Sequence, residues 1–180
     1  MARRGAVLSL VVAATAMGAQ GLQQPNPPVF PASVQVFGPD TDVGAIKAAV
    51  DQAYLKNGGH SAVDHGQFSP DRYAFLFKPG TYEVDVPVGF YTQVLGLGMY
   101  PGDVVFTGAK GPFCEEGDTK DMGGALSTFW RGAENFRTSA PQMLWAVSQA
   151  APLRRIVADG DMQLAQYVGG IGMGYASGGF

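Results

Sequence analysis

Glu134 lies in the stretch WRGAENF, a few residues after Trp130 and Arg131 in a region with little other charge. An indole face stacks on a sugar ring, and a guanidinium hydrogen-bonds its hydroxyls or a carboxylate. A carboxylate beside them suits general acid or base work on a glycosidic bond, given a second carboxylate to act as base or nucleophile. Asp159 is the candidate partner. It belongs to a second charged group, Arg154-Arg155 with Asp159 and Asp161, in which strand alternation puts Arg155 and both acids on one parity, with Gly160 breaking the strand between them. Arg154, Arg155, Trp145 and Gln149 would complete a substrate-binding face with Trp130 and Arg131. An eliminative enzyme would instead need a base, often with calcium or an arginine neutralising a uronate. Each of these residues also has a structural reading. Glu134 pairs with Arg131 or Asn135 across a bend, the Arg/Asp group forms a ladder of ion pairs between neighbouring strands, and the tryptophans are buried.

The other polar clusters carry weaker chemistry. Residues 109–123, AKGPFCEEGDTKDMG, interrupt the apolar pattern with Glu115, Glu116, Asp118 and Asp121 and read as a protruding acidic loop. His60 and His65 have only Asp64 near them, too few ligands for zinc. Asp159-Gly160-Asp161 lacks the further oxygen ligands of a calcium loop. Cys114 is the only cysteine, and Glu115 and Glu116 beside it would raise its pKa rather than activate it. No metal and no cofactor are called for.

Composition narrows the class. Of the 180 residues 46% are hydrophobic and 15% charged, enough apolar material for one sizeable core. The 26 glycines are about twice the usual share of roughly 7% and follow no three-residue period, which excludes collagen. The opening MARRGAVLSLVVAATAMGAQ has a basic start at Arg3 and Arg4, an apolar run too short to span a membrane, and small residues spaced for cleavage after Ala16 or Gly18. Residues 1–19 are therefore expected to be a secretory signal, and residues 20–32, with four prolines, a linker. The formal charge is −3; without Arg3 and Arg4, ten Lys+Arg face fifteen Asp+Glu, a net −5. Such a surface repels phosphate backbones, so nucleic acid is not an expected partner, nor is a membrane once the signal is removed.

The elements that must position the candidates follow from periodicity. SVQVF reads as a short strand, and Ile46, Ala49, Val50, Ala53 and Tyr54 mark a helix capped by Thr41 or Asp42 and stopped by Gly58-Gly59 in the left-handed conformation. From Tyr73 the period becomes 2. YAFLF is a buried strand, Lys78-Pro79-Gly80-Thr81 suits a type II turn, and Tyr82, Val84, Val86 and Val88 point one way. TQVLGLG, DVVFTG, STFWRGAENFRT, QMLWAVSQAAP and LRRIVADGDMQLAQYV repeat the form of a short strand ended by glycine or a turn. No two strands are joined by a two-residue Asn-Gly or Asp-Gly hairpin turn, which argues mildly for a solenoid of parallel strands over a meander.

One helix, a glycine segment, FLF, KPGTY and a strand ending in LGLG together resemble the start of the pectate-lyase-like superfamily. The resemblance implies an all-β fold with one N-terminal capping helix, a right-handed parallel β-helix over residues 33–180, truncated after its first coils. RYAFLFKPGTY, VGFYTQVLGLG, FWRGAENF and WAVSQAAPLRR are also similar to a group of secreted bacterial and fungal proteins labelled adenylyl cyclase or coagulation-factor-5/8-type. The chain has neither a nucleotide-binding loop nor the aspartate pair of a two-metal cyclase. The superfamily implies an extracellular protein, monomeric at full length, whose partner is a polysaccharide or cell-wall glycan. It would cleave that glycan by hydrolysis or elimination, or bind it without catalysis in attachment or adhesion.

Overall fold

The computed structural model describes residues 26–58, 66–115 and 128–164. The expected signal over 1–19, the first part of the linker, His60, His65, Glu116, Asp118, Asp121 and the glycine-rich tail lie outside them. Strand β1 (Val34–Phe37) is followed by α1 (Val43–Asn57). Of the two possible caps, Asp42 is used: its Oδ1 accepts the Ala45 N–H at 2.9 Å, satisfying one of the donors a helix start leaves open. Ile46, Val50 and Ala53 are buried, and this stripe joins the core formed by the first strands. The helix ends at Gly58 with φ −89°, a right-handed geometry rather than the left-handed one expected there; Gly59 is outside the described residues. Asn57 secures this end by donating from Nδ2 to Phe90 O at 3.0 Å and Asp71 O at 3.2 Å.

The strands then climb in coils. β2 (Tyr73–Phe77), β3 (Gly80–Tyr82) and β4 (Val86–Pro87) form one coil. β5 (Thr92–Gly96), β6 (Val104–Phe106) and β7 (Pro112–Phe113) form the next. β8 (Gly132–Thr138) with β9 (Gln142–Leu144), and β10 (Leu153–Ala158) with β11 (Asp161–Gln163), supply two more. All pairings between these strands are parallel. A first wall runs β1-β2-β5-β8-β10, and a second runs from β3 through β6 to the far half of β8. The third wall combines β4-β7 and β9-β11, linked by a bridge between Cys114 and Trp145. Among the described residues this is an all-β parallel solenoid with a single α-helix at its start, as the sequence led us to expect.

Side chains alternate as the period of 2 requires. Tyr82, Val84, Val86 and Val88 are all buried, while Glu83 is exposed and Asp85 half-buried. Inside, aromatic rings from successive coils meet edge to face: Phe77 with Phe106 at 4.8 Å, and Phe106 with Phe136 at 5.2 Å. Stacking in this manner adds to the burial of the rings themselves.

The corner between the first two walls explains one glycine and one asparagine. β8 bends at Asn135, whose φ is +61°, a conformation asparagine tolerates better than most side chains. Its Nδ2 donates to Gly96 O at 2.8 Å and Gly98 O at 2.7 Å, holding the corner of the coil before it. That closeness requires glycine at 96, where a Cβ would lie 1.9 Å from Asn135 O. Asn135→Ala will lower stability by about 2 kcal/mol, through two lost hydrogen bonds and a less tolerated backbone conformation. Asn135→Gly, which keeps the conformation easily, will lose less. The midpoints of urea unfolding of the two variants will rank them.

Candidate functional site

The outer face of the first wall carries an open cleft of about 560 Å³, and its construction follows from strand register. Phe75, Val94 and Ala133 are paired across β2, β5 and β8 and point into the core. Their neighbours on each strand therefore point outward. One outward row is Val34, Ala74, Gln93 and Gly132, register partners on β1, β2, β5 and β8. Continuing the β8–β10 register brings Pro152 into the same row. Apart from Gln93 these residues are small or compact, and they make a floor. Gly132 keeps it low, since a Cβ there would come within 2.6 Å of Gln93 Oε1.

Two residues earlier on each strand, the next outward row makes one side of the cleft. The Arg72 guanidinium lies over the Tyr91 ring, 3.5 Å from its centroid, and Tyr91 stacks on Trp130 at 5.5 Å and 21°. The two aromatic residues share a backbone conformation, φ +54° each. The Tyr91 N–H donates to Trp130 O at 2.6 Å and the Tyr73 N–H to Tyr91 O at 3.0 Å, so the coils hold the column in register. Phe129 braces the indole edge to face at 4.7 Å. Trp130 nevertheless remains 41% exposed. A flat, partly exposed indole with a polar amide beside it can take the C–H face of a sugar ring and hydrogen-bond its hydroxyls.

Of the residues singled out in sequence, Trp130 is therefore in the cleft. Glu134 and Arg154 are beside it, lining a smaller hollow of about 250 Å³ with Gln93, Ala133 and Pro152. They are opposed in register on β8 and β10 and form an ion pair, Arg154 Nη2 donating to Glu134 Oε1 at 2.6 Å. Asp159 is elsewhere, past the corner at the end of β10. Both of its carboxylate oxygens accept from Arg137 Nε at 2.9 Å, and this contact raises the pKa of the Arg137 guanidinium. The expected pair of carboxylates facing one another in one groove is thus not formed: each acid answers an arginine of the adjacent coil, on a different wall.

Four further expectations are corrected by burial or direction. Arg131 is 1% exposed and turned into the core. It donates from Nη1 to Val88 O at 2.6 Å and to Cys114 Sγ at 3.4 Å, and from Nε to Phe129 O at 3.2 Å. Its guanidinium carbon also sits 4.8 Å from the Phe90 ring centroid. Trp145 is buried in the third wall, its Nε1 donating to Ala151 O at 3.1 Å. Arg155 is exposed at the corner between the first two walls, opposite Asn135 and with φ +54°, and donates to Met99 O at 2.6 Å rather than joining Asp159 or Asp161. Gln149 is exposed but does not line the cleft. Arg72, Tyr91 and Gln93 line the cleft and were not anticipated; the signal was the alignment of the strands one upon another, which single strands do not display.

No family model matches the chain. Over 155 residues it is 40% identical to an exo-β-1,3-glucanase of Streptomyces sp. (strain SirexAA-E / ActE), a match covering 82% of this chain and 22% of the relative. The structure of SacteLam55A from Streptomyces sp. SirexAA-E superposes with a TM-score of 0.66 at 38% identity, over 77% of this chain and 24% of that one. A variant of the same protein in complex with glucose gives a TM-score of 0.64 with the same identity and coverage. The chain is therefore similar in sequence and in fold to part of a glucanase, and spans 22% of that relative's length.

Proposed function

We propose that this chain serves a secreted carbohydrate-active enzyme that hydrolyses a polysaccharide, a β-glucan, and that its coils hold the glycan. The observation that carries the reading is the 40% identity over 155 residues with an exo-β-1,3-glucanase. The aromatic column beside the Gln93 floor supports it independently, because a stacking surface with an adjacent amide suits an uncharged sugar chain. In this reading Glu134 and Asp159 join adjacent coils through Arg154 and Arg137. Residues 1–19 act as the export signal, residues 20–32 as a linker, and the protein works as a monomer outside the cell. The broader kinship with pectate-lyase-like proteins is one of fold; the reaction is hydrolysis, not elimination.

The test is a panel of laminarin, cellulose, mannan and polygalacturonate incubated with the full-length protein. Reducing sugar is expected from a β-glucan, with no ultraviolet absorbance from an unsaturated uronate. Glu134→Gln and Asp159→Asn are each expected to keep activity within about tenfold of wild type. Loss of an essential acid or base would cost more, typically about 10²–10⁴-fold. Sugar release from no polysaccharide, with glycan still bound, would favour a second reading, a wall-binding or adhesive β-helix. The pairing of both acids with arginines is the observation on that side.

A further inference from the structure

The aromatic column on the first wall is interrupted at the last coil described. Extending the β8–β10 register back from Leu153 and Ala133 places Ala150 opposite Trp130. Ala150 has φ +46°, close to the +54° of Tyr91 and Trp130, and it lines the same cleft. Three successive coils thus make the same left-handed turn at one position, and the residues there are tyrosine, tryptophan and alanine. Tyr91 covers one indole face of Trp130. The layer that would cover the other holds only a methyl group.

We propose that this layer is a sugar-binding subsite, in which a β-linked glucopyranose ring stacks on Trp130 in the place an aromatic side chain would occupy at Ala150. Coils of a parallel solenoid are separated by about 4.8 Å, and flat groups stack with centroids about 4.5–7 Å apart, so one ring fills one layer. A glucopyranose with all its substituents equatorial presents C–H bonds on both faces, which an indole face accepts. A ring with one axial hydroxyl carries it on one face, which would meet the indole unsatisfied, and can stack only by the other face. Gln93 lies across the adjoining floor, exposed and over Gly132, where its amide supplies both a donor and an acceptor to ring hydroxyls. The choice of glucose rests on the proposed function above; the vacant layer does not.

Ala150→Phe tests this by filling the layer. The tyrosine and tryptophan in equivalent positions show that the backbone accommodates an aromatic residue. Full-length wild type, Ala150→Phe and Trp130→Leu would be titrated with laminarihexaose and cellohexaose by calorimetry. Both variants are expected to bind at least about tenfold more weakly, as for loss of a central aromatic contact, and Ala150→Phe to raise KM while leaving kcat near wild type. Wild-type affinity in Ala150→Phe would overturn the subsite. Should Ala150→Phe not fold, wild-type affinity in Trp130→Leu overturns it alone. Intact hydrolysis with unaltered binding sinks the subsite and spares the proposed function; variant-sensitive binding without hydrolysis does the reverse.

Discussion

Arg131→Ala will unfold at markedly lower urea, by about 3–5 kcal/mol. It will do so without the selective loss of glycan affinity that a sugar-binding arginine would show. The side chain is 1% exposed, and three groups lose a donor when it goes: Val88 O, Phe129 O and Cys114 Sγ. A buried acceptor left unpaired costs about 1–3 kcal/mol, and the space vacated by the guanidinium adds a cavity term. For a domain of this size each kcal/mol lowers the melting temperature by about 2–4 °C, so the fall is about 10 °C. Arg131→Lys will recover only part of this, because an ammonium replaces the planar fork that reaches two carbonyls and a sulfur at once. The contrary outcome is specific: normal unfolding together with lost glycan binding would return Arg131 to the surface role its neighbourhood in the sequence suggests.

Trp145→Ala is expected to cost about as much, about 3–5 kcal/mol for a large core aromatic. The physical setting is the third wall, whose strands are two or three residues long. So short a wall depends on the few residues that join its pieces. Trp145 bridges to Cys114, its N–H donates to Gln163 O at 2.8 Å, and the Ala146 N–H donates to Cys114 O at 3.0 Å. The indole fills the interior behind these contacts and donates to Ala151 O. Trp145→Phe keeps much of the volume and loses that hydrogen bond, so a milder loss of about 1–2 kcal/mol is expected. Hydrogen exchange gives the sharper reading. Amides of Cys114, Trp145 and Ala146 should lose protection in Trp145→Ala before those of β2 and β5. Uniform protection, as in wild type, would place Trp145 outside the core.

The contrast between the two tryptophans shows how far the sequence reaches. Both stand in or beside short strands among apolar residues, and composition alone treats them alike. Trp130 falls at a left-handed corner residue and keeps 41% of its surface, whereas Trp145 falls on the inward parity of the third wall. Glu134 and Asp159 show the same limit. Asp159 does join an ion pair between coils, the structural alternative open from the start, but through Arg137, and Glu134 pairs with Arg154 rather than with Arg131 or Asn135. Which arginine each acid meets depended on which strands became neighbours. Arg131 was the least legible, because a guanidinium beside an indole suggests a surface site, and only the packing of Val88, Phe90 and Cys114 around it reveals a core strut.

What the sequence by itself determined is local and periodic. The alternation of Tyr82, Val84, Val86 and Val88, the apolar stripe of α1 and its Asp42 cap, and the glycines at the ends of strands are each decided within a few residues, by sterics and the hydrophobic effect. They favoured a solenoid of parallel strands, which the resemblance to the pectate-lyase-like superfamily made specific. The cleft was decided only by the tertiary structure. Arg72, Tyr91, Trp130 and Ala150 are 19, 39 and 20 residues apart in turn, and no fixed repeat in the chain brings them together. They meet because parallel pairing stacks each coil on the one before, and because connections of unequal length are absorbed between the walls. A row across such a sheet is set by hydrogen-bond register, a property of coils in contact that no single segment carries.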